Sequence, residues 1–119
     1  MGKFKELKVW QRAKDLAVYI YKETDHGAFA KDYGLRDQIR RAAVSIASNI
    51  AEGDDQNTDK QSIKSFYLSK GSSAEVLTQA TIAHEIGYIN DVVFGHLENE
   101  CEAISSMLTR LIQARIRKP

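Results

Sequence analysis

Apolar residues recur at steps of three and four along most of this chain, which is the period of an amphipathic α-helix. The first run covers residues 6–23, the second 33–53 and the third about 58–86, and the fourth follows Asn90. The last run is the most regular, with the series Phe94, Leu97, Cys101, Ile104, Leu108 and Leu111. Because no segment alternates with the period of two that marks a strand, the pattern predicts four helices and no sheet.

Polar residues stand where two of these helices should begin. Thr58 and Gln61 are three positions apart, which is the spacing of a capping box. Asn90 or Asp91 is a suitable N-cap for the fourth helix. The connections between helices are therefore short, and neighbouring helices should run in opposite directions.

Two glycines carry specific expectations. Gly53 stands at the end of the second run, where a left-handed C-terminal residue is expected. Gly71 lies inside the third run, where a glycine costs about 1 kcal/mol relative to alanine. Its presence there predicts close contact with another backbone, or a bend.

Length and composition agree with a single all-α domain. The chain has 119 residues, of which 43% are hydrophobic and 28% charged, which excludes a disordered class. We therefore expect an antiparallel up-down four-helix bundle over residues 1–119. The longest apolar stretch, 42–51, is too short and too polar to span a membrane. No secretory signal is visible and Cys101 is the only cysteine, so we expect a reduced, cytoplasmic protein.

The titratable residues do not form a pattern that predicts catalysis. A di-iron bundle needs a Glu-x-x-His motif on two helices, and here the motif occurs once, as Glu23 and His26. The three histidines are scattered. Cys101 lies in an apolar row and is expected in the core. We therefore predict no catalytic residue, no metal ligand and no cofactor.

Basic residues are unevenly distributed, although the net charge is only +1. If the basic faces adjoin, they form a cationic surface that suits phosphate; the alternative is a solvated face balanced by acids. The C-terminal cations Arg110, Arg115, Arg117 and Lys118 have no acid among them. The candidate nucleic-acid-binding residues are Lys3, Lys5, Lys8, Arg12, Lys14, Arg36, Arg40, Lys60 and Lys64.

One stretch of sequence is more specific than any of these features. It contains Tyr33-Gly34-Leu35, Gln38-Ile39-Arg40-Arg41-Ala42, Ser45-Ile46, Asn49-Ile50-Ala51-Glu52-Gly53, and then Gly71-Ser72 with Glu75. This series resembles the family of four-helix bundles named for proteins encoded in intervening sequences of bacterial 23S ribosomal RNA genes. Alanine replaces two prolines frequent in that family, at Ala30 and Ala47. We therefore expect a straighter second helix and a looser segment before it.

The resemblance implies an antiparallel bundle that assembles into a homo-oligomer, typically a ring of five, and that has no enzymatic activity. Related bundles are accessory proteins of diversity-generating retroelements, which bind nucleic acid and a reverse transcriptase through a basic surface. The link of the family to ribosomal RNA is one of gene location.

The motif residues also suggest structural roles. Arg41 and Glu75 should pair across the second and third helices, and such a pair is costly to break when buried. Asn49 and Glu52 should bond exposed groups at the helix end near Gly53. The full set with this expected structural role is Arg41, Asn49, Glu52, Gly53, Gly71, Ser72 and Glu75.

Two functions follow as hypotheses. The first is an oligomeric, non-enzymatic bundle that binds RNA or DNA with little sequence preference. The alternative is an interaction scaffold for a reverse transcriptase or another protein partner, without direct nucleic-acid binding. The second hypothesis depends on exposed aromatic side chains, for which we expect Tyr19, Tyr33 and Tyr88.

Overall fold

The computed structural model describes residues 3–117, and all regular structure in that range is helical, which confirms the all-α prediction. A 3₁₀ turn precedes five α-helices. The turn is Phe4–Glu6, and the helices are α1 (Lys8–Glu23), α2 (Gly27–Lys31), α3 (Tyr33–Asp54), α4 (Asp59–Glu85) and α5 (Asp91–Ile116). The four predicted helices correspond to α1, α3, α4 and α5.

The first helix and the segment after it differ from the prediction. α1 begins at Lys8 because Leu7 is extended and separates it from the 3₁₀ turn. Gly27 has a φ of 66° and begins α2 instead of only ending α1. α2 carries Phe29, which is 2% exposed. The segment before α3 is therefore not loose, since its aromatic side chain belongs to the core.

The predicted helix starts are confirmed. The Thr58 hydroxyl accepts a hydrogen bond from the Gln61 backbone N–H at 3.2 Å. The Asn90 side chain accepts one from the Val93 N–H at 2.9 Å. Each cap satisfies a backbone donor that the helix itself leaves without a partner. A third cap, Asp32 at the start of α3, was not predicted.

Four pairs of long helices are in contact: α1 with α3 and α5, and α4 with α3 and α5. The Ser69 hydroxyl donates to the Ile46 carbonyl at 2.8 Å, and the Ser72 hydroxyl donates to the Ser45 hydroxyl at 2.9 Å. Contacts thus move backward along α3 as they move forward along α4. These two helices therefore run antiparallel.

α5 runs antiparallel to α4 in the same way. The Lys70 ammonium group donates to the Thr109 hydroxyl at 2.7 Å, and the Ser73 hydroxyl donates to the Cys101 carbonyl at 3.2 Å. Ser69, Ser72 and Ser73 are small enough to let the helices approach closely, and their hydroxyl groups remain hydrogen-bonded. The described molecule measures 51 × 24 × 21 Å.

Neither glycine has its expected role, and Gly53 has the one that was expected of Gly71. Gly53 is buried inside α3 and is not left-handed; among residues 3–117, the glycines with positive φ are Gly27 and Gly87. A Cβ atom on Gly53 would lie 2.5 Å from Cε1 of Phe66. A Cβ atom on Gly71 would meet nothing within 4 Å. Gly53 is therefore the glycine of close approach, and the close contact predicted for Gly71 is not formed.

Across the described part of the chain, no helix combines the length and the apolar character needed to cross a bilayer. The regular series predicted for the fourth run lies in the core or packs against it, and Cys101 is 2% exposed there. Its confinement there agrees with the core role predicted for this cysteine. The predicted face of the third run is only partly buried, because Tyr67 is 55% exposed while Ser69, Ser72 and Ser73 face the bundle instead.

Candidate functional site

The predicted basic residues separate toward the two ends of the molecule. α1 begins, α3 ends, α4 begins and α5 ends at one of these ends, where Arg115 lies 3.8 Å from Asp54 and 4.0 Å from Asp59. We call the exposed cations near this end the basic end. They form no ion pair within residues 3–117, and they are Lys3, Lys5, Lys8, Lys60, Lys64, Arg110 and Arg117.

Arg110 and Arg117 were not among the predicted binding residues. Antiparallel packing brings the end of α5 beside the start of α1, so that Lys8 and Arg110 line one hollow of about 300 Å³ with Met107. Arg117 follows Arg110 by seven residues, which is about two helical turns, so both lie on the same face of the helix. The sequence did show that the C-terminal segment is basic and lacks acids. It did not show that this segment lies beside the N-terminal lysines, because that depends on how the helices pack.

Arg36 and Arg40 lie toward the opposite end and hold local structure. The Arg36 guanidinium donates to the Ala30 carbonyl at 3.0 Å and also bonds the adjacent Asp37. Arg40 donates to the Thr24 hydroxyl at 2.8 Å, and its side chain is 18% exposed. These two predicted residues therefore bond α3 to the segments that precede it.

Arg12 and Lys14 on α1 also have acidic partners. The Arg12 guanidinium makes two hydrogen bonds to the Glu100 carboxylate, at 2.8 and 3.0 Å. This contact raises the pKa of Arg12 and holds the pKa of Glu100 below its ordinary value. Lys14 lies 2.6 Å from Asp15. The predicted cationic surface thus reduces to the basic end.

Residues of the sequence motif line an open groove between α3 and α4. Arg41 and Glu75 are both exposed and line one part of the groove, yet they form no ion pair within the described chain. Glu52 is also exposed. The buried pair expected from the sequence is therefore not present, because both side chains point into solvent instead of into the bundle.

Asn49 differs from its prediction as well. Its amide donates to the Ser45 carbonyl at 2.9 Å and to the Ser45 hydroxyl at 3.0 Å. These acceptors are one turn earlier on α3, not at the helix end near Gly53. Ser72 bonds the same Ser45 hydroxyl from α4. The three side chains form a small polar network that joins the two helices.

The groove itself has mixed chemistry. Its larger part, about 590 Å³, is lined by Lys64, Tyr67, Leu68, Gly71 and the polar network. Its smaller part, about 310 Å³, contains Gln79, whose Oε1 atom has no hydrogen-bond partner in the described structure. Donors, acceptors and apolar surface therefore alternate along it.

The histidines and the cysteine do not assemble a reactive centre. Within residues 3–117, no group of acidic, histidine or cysteine side chains is arranged to hold a metal ion. His84 lies 2.7 Å from Asp91 and stacks on Phe94. Burial raises the pKa of the Cys101 thiol to about 11, which keeps the thiol protonated and poorly nucleophilic near neutral pH.

The aromatic residues expected at the surface are mostly covered. Tyr33 is 66% exposed, as predicted. Tyr19 packs against His96, and the Tyr88 hydroxyl donates to the Asp32 carboxylate at 2.9 Å, so both are partly buried. Tyr21 and Tyr67 are more exposed than these two and were not predicted.

Comparison with known proteins identifies a family and a fold that is shared with solved structures. The model of the family described as 23S rRNA-intervening sequence protein matches residues 5–110. The chain is similar in structure to a protein of unknown function from the S23 ribosomal protein family of Bacteroides thetaiotaomicron, with a TM-score of 0.81 and 21% identity. The match covers 87% of this chain and 97% of that protein. No match is found among proteins of curated function.

Proposed function

This chain belongs to the 23S rRNA-intervening sequence protein family, and from that premise we propose that it is a non-enzymatic, oligomeric, antiparallel up-down four-helix bundle that binds nucleic acid, RNA in particular, through its basic end. One observation carries the proposal. The cations of the basic end are exposed and have no ion pair within the described chain, whereas Arg12, Lys14, Arg36 and Arg40 are engaged by acids or by backbone.

The physical basis is electrostatic. Lysine and arginine side chains that release counterions from phosphates give affinity without reading bases. The acids near the same end include Asp54 and Asp59, and both lie close to Arg115. The partly buried Arg115 thus compensates part of the charge of these two carboxylates. Binding should therefore be nearly independent of sequence and should weaken steeply with salt.

A salt titration of binding to a structured RNA tests this proposal. We expect Lys8→Glu and Arg110→Glu each to weaken binding and to reduce the slope of log K against log salt by about 1, as the loss of one phosphate contact does. Lys31→Glu is the matched control, because Lys31 is exposed at the opposite end. Absence of binding at low salt, or equal losses for all three variants, would contradict the proposal.

We further propose that the functional form is a homo-oligomer, with the ring of five that resemblance to the family implies. Light scattering on the purified protein measures this directly, because a ring of five has five times the protomer mass of 13.4 kDa. A monomeric mass over the working concentration range would overturn it.

The alternative is a scaffold for a reverse transcriptase or another protein partner, without nucleic acid. Exposed apolar side chains favour a protein contact of some kind, and Val18, Val44, Leu68 and Ile82 are each more than 40% exposed. Affinity capture from the native host with nuclease treatment separates the two functions. Retention of one stoichiometric protein after digestion favours the scaffold, and recovery of nucleic acid alone in the untreated sample favours the first proposal.

A further inference from the structure

α4 carries apolar residues on two sides. Its inner side packs into the bundle through Phe66, Val76 and Ala80, all fully buried. Its outer side has a second series with the same helical spacing, which we call the α4 stripe: Leu68, Gly71, Glu75, Thr78 and Ile82. Leu68 is 53% exposed and Ile82 is 47% exposed. Two large apolar side chains on the outer side of α4 are thus left in solvent, with Gly71, Glu75 and Thr78 between them.

A complementary surface lies between α1 and α3. It is a groove of about 680 Å³ whose walls are largely apolar, and we call it the α1/α3 groove. Its most exposed side chains are Val18, Tyr21 and Val44. Lys14 and Lys22 lie along its α1 side. This groove is an apolar surface between two helices that no other part of the described chain covers.

The α4 stripe has two exposed apolar side chains with an open position between them. Leu68 and Ile82 are fourteen positions apart, which separates them by about 21 Å along the helix axis. Between them Gly71 has open space around its missing side chain. A bulky wall residue such as Trp10 or Tyr21 can therefore approach the α4 backbone there. This gives a reason for a glycine inside a long helix where nothing in its own chain requires one.

The two surfaces are complementary in charge. Glu75 is the acid in the middle of the α4 stripe, and within the described chain it forms no ion pair. Lys22, on the border of the groove, likewise forms none there. A carboxylate that docks beside this lysine keeps its charge compensated while the apolar residues on either side are buried.

We propose that the α4 stripe of one copy docks into the α1/α3 groove of the next copy, so that the chain assembles head to tail. The inference rests on the homo-oligomer proposed above and assigns its interface. A second copy is the occupant that the chain itself indicates, because one molecule presents both exposed apolar side chains on α4 and an apolar groove between α1 and α3. An acid on the first surface and a lysine beside the second are both unpaired within the described chain.

The positions of the two surfaces determine what the contact builds. The stripe lies on α4 and the groove lies between α1 and α3, so they are different surfaces of one molecule. A contact between two different surfaces repeats from copy to copy and closes into a ring when the rotations between copies complete a full turn. The ring proposed above is the closed form of such a contact.

Two single-residue variants test the inference, each with one of the two surfaces damaged. Their mass is measured by light scattering in the absence of RNA. Leu68→Asp damages the stripe and Val44→Asp damages the groove, and both positions are exposed, so the fold should persist by circular dichroism. We expect each variant alone to have the protomer mass. Val92→Asp is the matched control, because Val92 is 80% exposed on α5 outside both surfaces, and it should keep the wild-type mass.

Mixing the variants gives the decisive measurement. Leu68→Asp retains an intact groove and Val44→Asp an intact stripe, so an equimolar mixture should form a dimer with one sound interface and grow no further. A wild-type monomer overturns the homo-oligomer itself. A wild-type oligomer with unchanged mass in both variants, or a mixture that stays monomeric, overturns only the interface assigned here.

Discussion

Replacement of Gly53 by alanine should destabilise the protein, although alanine is the better helix former. Gly53 is buried in the last turns of α3, and an added Cβ atom would lie 2.5 Å from Cε1 and 2.8 Å from Cδ1 of Phe66. The Phe66 ring is fully buried and also lies beneath the Arg115 guanidinium, 5.4 Å from the ring centroid. A rigid ring enclosed on several sides cannot move away without displacing its neighbours.

Two opposing contributions set the magnitude. Alanine in place of glycine in a helix is worth up to about 1 kcal/mol in favour of folding, and less near the helix end. Overpacking of a filled core costs about 1–3 kcal/mol. The net expectation for Gly53→Ala is a loss of about 0.5–2 kcal/mol. For a domain of this size that is a lower melting temperature by several degrees.

Gly95→Ala provides the matched comparison. Gly95 lies in α5, and a Cβ atom there would meet nothing within 4 Å. It should therefore gain the helix-forming contribution and raise stability by about 0.5–1 kcal/mol. Urea unfolding followed by circular dichroism, at one fixed protein concentration, compares the two variants without interference from assembly.

A second background isolates the cause. Phe66→Leu shortens the side chain that the new methyl group would strike, so Gly53→Ala should cost much less in that background than in the wild type. A double-mutant cycle measures this difference as a coupling energy. If Gly53→Ala stabilises the protein as much as Gly95→Ala does, or costs the same with leucine at 66, the close approach does not limit this position.

The other predictions concern single bonds and one thiol. Glu100→Gln should lower stability by about 0.5–1 kcal/mol at pH 7, because the partly exposed Arg12 loses its carboxylate. Since Arg12 holds the pKa of Glu100 below its ordinary value of about 4.3, that stability is present above this pH and is lost as pH falls through the lower folded value. The urea midpoints of the variant and the wild type should therefore converge as the pH is lowered. A difference between the two midpoints that does not change with pH would refute the pairing. Thr24→Val should cost about 1–3 kcal/mol, because Thr24 is buried and accepts the Arg40 hydrogen bond; an unchanged urea midpoint would show that this bond adds nothing. Cys101, whose burial raises its pKa to about 11, should react with a thiol reagent at pH 8 only after guanidinium unfolding, and rapid native labelling would contradict its placement.

Helix type and helix starts could be predicted from sequence because they depend on residues close together in the chain. The three-to-four spacing of apolar residues and the caps at Thr58 and Asn90 are local signals, and the structure contains both. α2 was missed because five residues are too few to show a period. Its formation depends on the burial of Phe29, which is a tertiary contact.

The roles of individual side chains depend on how neighbouring helices are aligned, which periodicity does not specify. The sequence does not show which of Gly53 and Gly71 is close to another helix, because only the alignment of α3 with α4 places Phe66 beside Gly53. Arg12 looks available for phosphate until Glu100, 88 positions away, lies beside it. Most errors in the candidate site have this origin.

The two proposals reinforce each other through geometry. If neighbouring copies cross at the shallow angle of about 20° that is typical of helix bundles, a head-to-tail ring built through α4 and the α1/α3 groove places every basic end on one rim. Phosphate contacts that are weak in one protomer then act together on one RNA, because the first contact holds the RNA at a high effective concentration near the other basic ends. Leu68→Asp removes no cation, yet it should weaken RNA binding strongly by dispersing the rim, while Lys8→Glu should weaken binding without a change of mass. If monomeric Leu68→Asp binds structured RNA as tightly as the assembled wild type, the rim contributes nothing and each basic end acts alone.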